Sequence, residues 1–190
     1  MLSSLKSKIG HSKLRKKLKE VKRDKKVYNL ITARRVGMLI YVSSDTVFKQ
    51  ALEFVSYLNQ QNLDVCILAF YPGKEIPQQY LLRKNVNIFN KKELNWYNKP
   101  MAPFVEEFIG MDFDMLIDLS TQELFPLKWI ASLSIAKFKV GNLSYYGSPN
   151  DLIINIKSED NIQNLIIQMK HYLYLINNRF AQEQVQELEN

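Results

Sequence analysis

From Val36 onward, short apolar runs alternate with longer stretches whose apolar residues recur every three or four positions, whereas residues 1–35 are dominated by lysine and arginine. The short runs predict strands covered on both faces, and the helical recurrence predicts helices packed against them. Arg34 to Asp45 holds the first transition: Val36 to Val42 is apolar throughout, and Ser43-Ser44-Asp45 supplies residues that cap a helix start. Val47, Phe48, Ala51, Val55 and Leu58 then share one helical face as far as Gln60-Gln61-Asn62, and Leu63 to Phe70 reads as a second strand. A strand, helix and strand joined by short turns imply a parallel pair with a right-handed crossover.

Tyr71-Pro72-Gly73 breaks that strand, Val86 to Phe89 is a short third one, and the segment Lys91 to Pro103, rich in Asn, Lys, Trp and Pro, reads as a loop. Phe104 to Ile109 forms a short helix before the fourth strand, Phe113 to Leu119, which is expected at the centre of the sheet. Ser120-Thr121-Gln122-Glu123 has capping-box spacing and opens a helix carrying Leu124, Leu127, Trp129, Ile130 and Leu133. Lys137 to Val140 and Leu152 to Ile156 supply strands five and six, and a long helix from about Glu159 buries Leu165, Met169 and Leu173. The fold class is therefore α/β: a three-layer, Rossmann-like domain with a mostly parallel sheet of about five or six strands, here in the common order 3-2-1-4-5-6. It divides into a basic helical arm (1–33), the α/β domain (34–180) and a frayed acidic tail (181–190).

Charge changes the picture at the N-terminus. Residues 1–35 hold 13 of the 26 basic residues but 2 of the 19 acidic ones, so that segment carries +11 and the remainder −4. Gly10 divides it, and Ser12 is expected to cap a helix running to about Lys26, with Leu14, Leu18 and Val21 as a narrow stripe along a cylinder of Lys13, Arg15, Lys16, Lys17, Lys19, Lys22, Arg23, Lys25 and Lys26. Two readings fit: an anion-binding arm, or a solvated helix that lays its stripe on the domain. A segregated cationic segment favours the arm, with RNA or the ribosome as partner ahead of an anionic membrane surface, because three medium apolar residues make a shallow anchor. On that reading, deleting residues 1–27 removes binding and leaves the stability of the body unchanged.

The single cysteine, Cys66, lies inside an apolar run, which fits a reducing cytosol, and neither a signal-peptide core nor a membrane-spanning run is present. The expected localisation is cytoplasmic, peripheral to the ribosome or the membrane. In a doubly wound sheet, ligands bind beyond the carboxyl ends of the strands where the strand order reverses. Ser43, Ser44 and Asp45 after the first strand and Asp118, Ser120 and Thr121 after the fourth are the ligand-binding candidates, although helix capping alone would also explain them. No glycine-rich phosphate loop follows the first strand, so no dinucleotide cofactor is expected. His11 and His171 lack partners at ligand spacing, so no metal site is expected either. Asp118 has the position of a general base, yet no nucleophile or acid accompanies it. Tyr145-Tyr146-Gly147 reads either as a stacking turn or as local packing. With no catalytic set in view, the chain is read as a binding or adaptor protein, and whether it is an enzyme stays open.

The Phe113 to Ser120 strand, the stretch Ser134-Ile135-Ala136-Lys137-Phe138-Lys139-Val140-Gly141, and the final helix with Gln168-Met169-Lys170-His171-Tyr172-Leu173 resemble an uncharacterised bacterial family of unknown function, from about Leu30 to Asn177. That resemblance implies no particular activity. Phe113 to Leu119, the following helix and Lys137 to Gly141 are also similar to the acceptor-side domain of heptosyltransferase-like glycosyltransferases. Those enzymes place Gln-Gly where this chain has Ser120-Thr121 and need a second Rossmann-like domain. The likeness implies, as the alternative, a small-molecule or glycosyltransferase-like pocket at the carboxyl ends of strands one and four.

Overall fold

The computed structural model describes residues 2–81, 85–142, 147–156 and 161–178, with side chains from residue 5. Six parallel strands form one sheet: β1 (Arg35–Tyr41), β2 (Asp64–Tyr71), β3 (Val86–Asn90), β4 (Met115–Asp118), β5 (Phe138–Gly141) and β6 (Leu152–Ile153). Their spatial order is β3-β2-β1-β4-β5-β6, as expected, so β1 and β4 are the central neighbours. The helices are α1 (Leu2–Leu18), α2 (Asp45–Gln60), α3 (Gln78–Leu81), α4 (Pro103–Gly110), α5 (Phe125–Leu133) and α6 (Ile162–Leu175).

Side-chain alternation along each strand splits the interior in two. Val36, Met38 and Ile40 of β1 join Val65, Ile67, Met115, Ile117 and Val140 on one face, under α2 and α6. Leu39, Leu68, Phe70, Phe89 and Leu116 point the other way, under α1, α4 and α5. Both faces of the sheet are covered, which is why the central strands read as apolar throughout. Ser44 caps α2, its hydroxyl accepting from Val47 N at 3.2 Å, and just past the helix end at Gln60 the chain turns through Asn62, which takes the left-handed φ of 62° that asparagine tolerates.

Two expectations are corrected. The helix after β4 starts at Phe125 and is capped by no side chain at Leu124, so Ser120 and Glu123 do not form a capping box. Glu123 is drawn instead to Lys128 Nζ at 2.6 Å, and Ser120 is buried. The capping box occurs at Asn90 and Glu93, opening a single 3₁₀ turn after β3.

The N-terminal helix is the second correction, because α1 ends at Leu18 rather than Lys26 and runs through Gly10 without a break. Beyond it, tertiary partners outcompete helix propensity. The Arg23 guanidinium donates to the carbonyls of Ala136 (2.8 Å) and Lys137 (3.3 Å) and pairs with Asp151 at 2.6 Å, while Lys26 N donates to Lys137 O at 3.2 Å. Leu14 is buried against the α4–α5 layer, and Leu30 N donates to Leu173 O at 3.0 Å. Residues 19–34 therefore run over the sheet's end as a docked strap. The acidic tail (181–190), the Tyr145-Tyr146 pair and the expected helix start at Glu159 lie outside the described residues; α6 is capped at Asn161.

Candidate functional site

Helix α1 turns Gly10 and Leu14 inward, with Ile9 and His11 half-buried beside them, and its other described side chains are exposed. Lys13, Arg15, Lys16 and Lys17 on the helix, with Lys19 and Lys22 just beyond it and Lys26 further along, are exposed and make no ion pair among the described residues. Arg23 and Lys25 differ from the other candidates, since both are bound to Asp151. Asp151 is pulled below the usual carboxylate range; burial opposes this, but hydrogen bonds from Arg23 and from Lys139 N outweigh it. Two of the nine arm residues are thus fasteners, and seven form an outward cationic surface. Of the apolar stripe, Leu14 faces the protein interior, Val21 is half-buried, and Leu18 is 38% exposed.

The second place is the cleft at the switch point between β1 and β4. A recess of about 250 Å³ opens there, lined by Ser43, Ser44, Gln50, Thr121 and Asn161 among others. The fold thus brings Ser43, Ser44 and Thr121 together. Sequence reasoning missed Asn161, which arrives from α6 and accepts from Gln163 N and Asn164 N at 2.9 and 3.2 Å. Ser44 and Asn161 are spent on capping, as the bland reading of such residues holds. Asp45 turns elsewhere: its carboxylate accepts from the Tyr80 hydroxyl and from Gln79 Nε2, fastening α3 to α2. Burial first, then this carboxylate, pushes Tyr80 up to about 12.

Asp118 lies on the opposite face of the sheet, in register with Leu39 of β1 and Gly141 of β5. Its carboxylate accepts from Ser120 N at 2.9 Å. Burial raises its pKa, and the Ser120 hydroxyl and amide offset this in part. The hydroxyl lies near the carboxylate but, among the described residues, outside hydrogen-bond geometry with any group. One strand away, Lys139 stands in register with Leu116 and is fully buried, its Nζ donating to Ser132 O at 3.2 Å near the negative end of α5. Desolvation, and then the nearby Arg23 charge, pull Lys139 down to about 7. Nothing in the sequence singles out Lys139, because a lysine inside a strand betrays nothing of the helix that will cover it. Among the described residues no group of three His, Cys, Asp or Glu could hold a metal, and no helix is long and apolar enough to cross a membrane.

A three-layer α/β protein with a Rossmann-like sheet, a polar recess at its switch point and a cationic helix docked on one layer is the class these features define. The chain belongs to a family of unknown function, DUF6913, which it matches over residues 6–176. That span begins inside α1 and runs through α6, so all but the first turn of the cationic helix lies within it. No curated protein is similar to the chain.

Proposed function

We propose that the protein is a binding or adaptor protein, without catalysis of its own, that docks on RNA or the ribosome through the outer face of α1 and the strap that follows it. The observation that carries this reading is the set of seven exposed cations at Lys13, Arg15, Lys16, Lys17, Lys19, Lys22 and Lys26, none in an ion pair among the described residues, on a segment fixed to a body of net −4. Such a cluster repels itself until a polyanion neutralises it. RNA ranks above a lipid surface because Leu14, the first of the three stripe residues that would enter a bilayer, is already buried in the protein and Val21 is half-buried, which leaves Leu18 alone exposed. Such a partner puts the protein in the cytoplasm, at the periphery of ribosomes.

Co-sedimentation from lysate at low and high salt tests the reading. The protein is expected with ribosomes or RNA at low salt and free at high salt. A protein that stays free at both, or a Lys13→Glu/Lys16→Glu/Lys17→Glu variant that sediments like the parent, would overturn it.

The recess holding Ser43, Ser44 and Thr121 supports a second reading, a small-molecule site of the glycosyltransferase-like kind. A ligand bound there raises the melting temperature by mass action. A thermal-shift screen of nucleotides and sugar phosphates should then show stabilisation that Ser43→Ala or Thr121→Val abolishes.

A further inference from the structure

The segment after the 3₁₀ turn, a plain loop by sequence, is a closed and rigid turn. Asn95 Oδ1 accepts from Tyr97 N at 3.1 Å and Lys99 N at 2.9 Å, Asn95 N donates to Lys99 O, and Asn98 N donates to Asn95 O, each at 2.9 Å. Leu94 bridges Pro100, Met101 N donates to Glu93 O, and Asn98 supplies the left-handed φ of 66° that closes the loop. So heavily bonded a turn would be expected to serve packing, yet it holds Trp96 58% exposed, whereas the chain's other tryptophan, Trp129, is 1% exposed. The Trp96 and Tyr97 rings are perpendicular, with centroids 5.3 Å apart and planes at 88°, so at least one broad face of the indole lies outside that contact. A large apolar ring held out in water by a rigid backbone is a ready-made contact for something flat.

The turn also sits against the cationic helix. A Cβ at Gly10 would lie 3.1 Å from Tyr97 O and 2.8 Å from the Phe125 ring, so the absence of a side chain there is what lets α1 approach the turn's backbone. Lys6 and Ser7 of α1 face Tyr97, Asn98 and Phe125 across a shared recess of about 350 Å³. The cationic helix thus stands beside the turn that carries the exposed ring.

We infer that the Leu94–Pro100 turn is a base-stacking platform and that the polyanion bound by the cationic face is single-stranded RNA, one base stacking on Trp96 while neighbouring phosphates meet the lysines of α1. This rests on the RNA-docking reading above. Cationic grooves combined with exposed aromatic rings bind single strands with little sequence preference, since every base has a π-face. In a duplex those faces are already stacked, so a cationic surface alone would take either form, whereas the platform prefers the single strand.

The full chain is titrated with a labelled twelve-nucleotide oligouridylate and with an RNA duplex of equal phosphate number, following anisotropy and tryptophan emission. The single strand should bind more tightly and quench Trp96, and Trp96→Leu should abolish the quenching while leaving the emission of buried Trp129. Trp96→Leu should weaken single-strand binding about 5- to 150-fold with the salt slope unchanged, and Trp96→Phe should restore most of the loss. Unchanged affinity in Trp96→Leu, with binding lost in Lys13→Glu/Lys16→Glu/Lys17→Glu, would overturn the platform and leave the cationic face standing. No binding of either RNA by the parent at low salt would sink both. If Trp96→Leu does not fold, the parent decides: saturation without a change in emission, or equal affinity for strand and duplex, refutes the platform.

Discussion

Two buried titratable side chains, Asp118 and Lys139, carry pH signatures of opposite position. The pKa of Lys139 falls from 10.5 in the unfolded chain to about 7 on folding. A depressed pKa contributes stability that is present above the unfolded value and is lost as pH falls through the folded one. Between about pH 10 and pH 7 the protein should therefore lose stability, and Lys139→Met should flatten that fall and melt higher at pH 7. Equal pH 9-to-7 differences in parent and variant would show that Lys139 is not held in the core. Asp118 is raised above 3.8, so its contribution is fully present below that value and lost as pH rises through the folded pKa. Asp118→Asn keeps an acceptor for Ser120 N and offers a donor to the unpartnered Ser120 hydroxyl, so it should melt higher than the parent at neutral pH. Asp114 and Asp151, both lowered, run the other way, so the informative quantity is the difference between variant and parent across an acid titration. At this scale the sequence offered Ser44 or Asp45 as the cap of α2, because such residues at the end of an apolar run have few other uses, and the structure uses Ser44. Asn161 and Lys139 were illegible, since their surroundings come from elements distant in the chain.

Among the elements, the central strands and the helices α2 and α6 could be read from pattern alone, because a double-sided apolar core imposes the same periodicities wherever it occurs. Leu173, wholly buried on α6, makes the test: Leu173→Asp strands a charge in the core and should cost more than about 4 kcal/mol, enough to unfold the domain in a melting experiment. The capping boxes show where pattern fails. Ser120 to Glu123 and Asn90 to Glu93 have the same spacing, and the structure uses the second alone because Lys128 claims Glu123. Helix α1 failed for a like reason, with Ala136, Lys137 and Asp151 unwinding what local propensity would have continued. The earlier expectation for residues 1–27 changes accordingly. Deleting them removes Leu14 and the Arg23–Asp151 pair, and should lower the melting temperature well beyond the few tenths of a kcal/mol typical of a surface change.

At the scale of the whole molecule the charge is segregated along the chain, with seven outward cations gathered on one segment and a net-negative remainder. If several of those cations meet phosphates, the log–log salt slope of RNA binding should be at least about −3, at roughly −0.7 to −0.9 per contact. Charge reversal at Lys13, Lys16 and Lys17 should flatten it by about 2. A parent slope near zero would mean that affinity comes from elsewhere. Charge asymmetry was visible in the sequence, but its geometry was not, because only docking decides which lysines face out and which arginine is spent on Asp151. That docking also orders events in time. Arg23 and Asp151 are 128 residues apart and Asn29 and Ile176 are 147 apart, so a segment synthesised early closes onto segments synthesised much later. At about 5–20 residues per second, Arg23 waits on the order of 6–26 seconds for its carboxylate to be made, and through that interval the nascent chain trails a bare cationic leader beside the machine that is translating it.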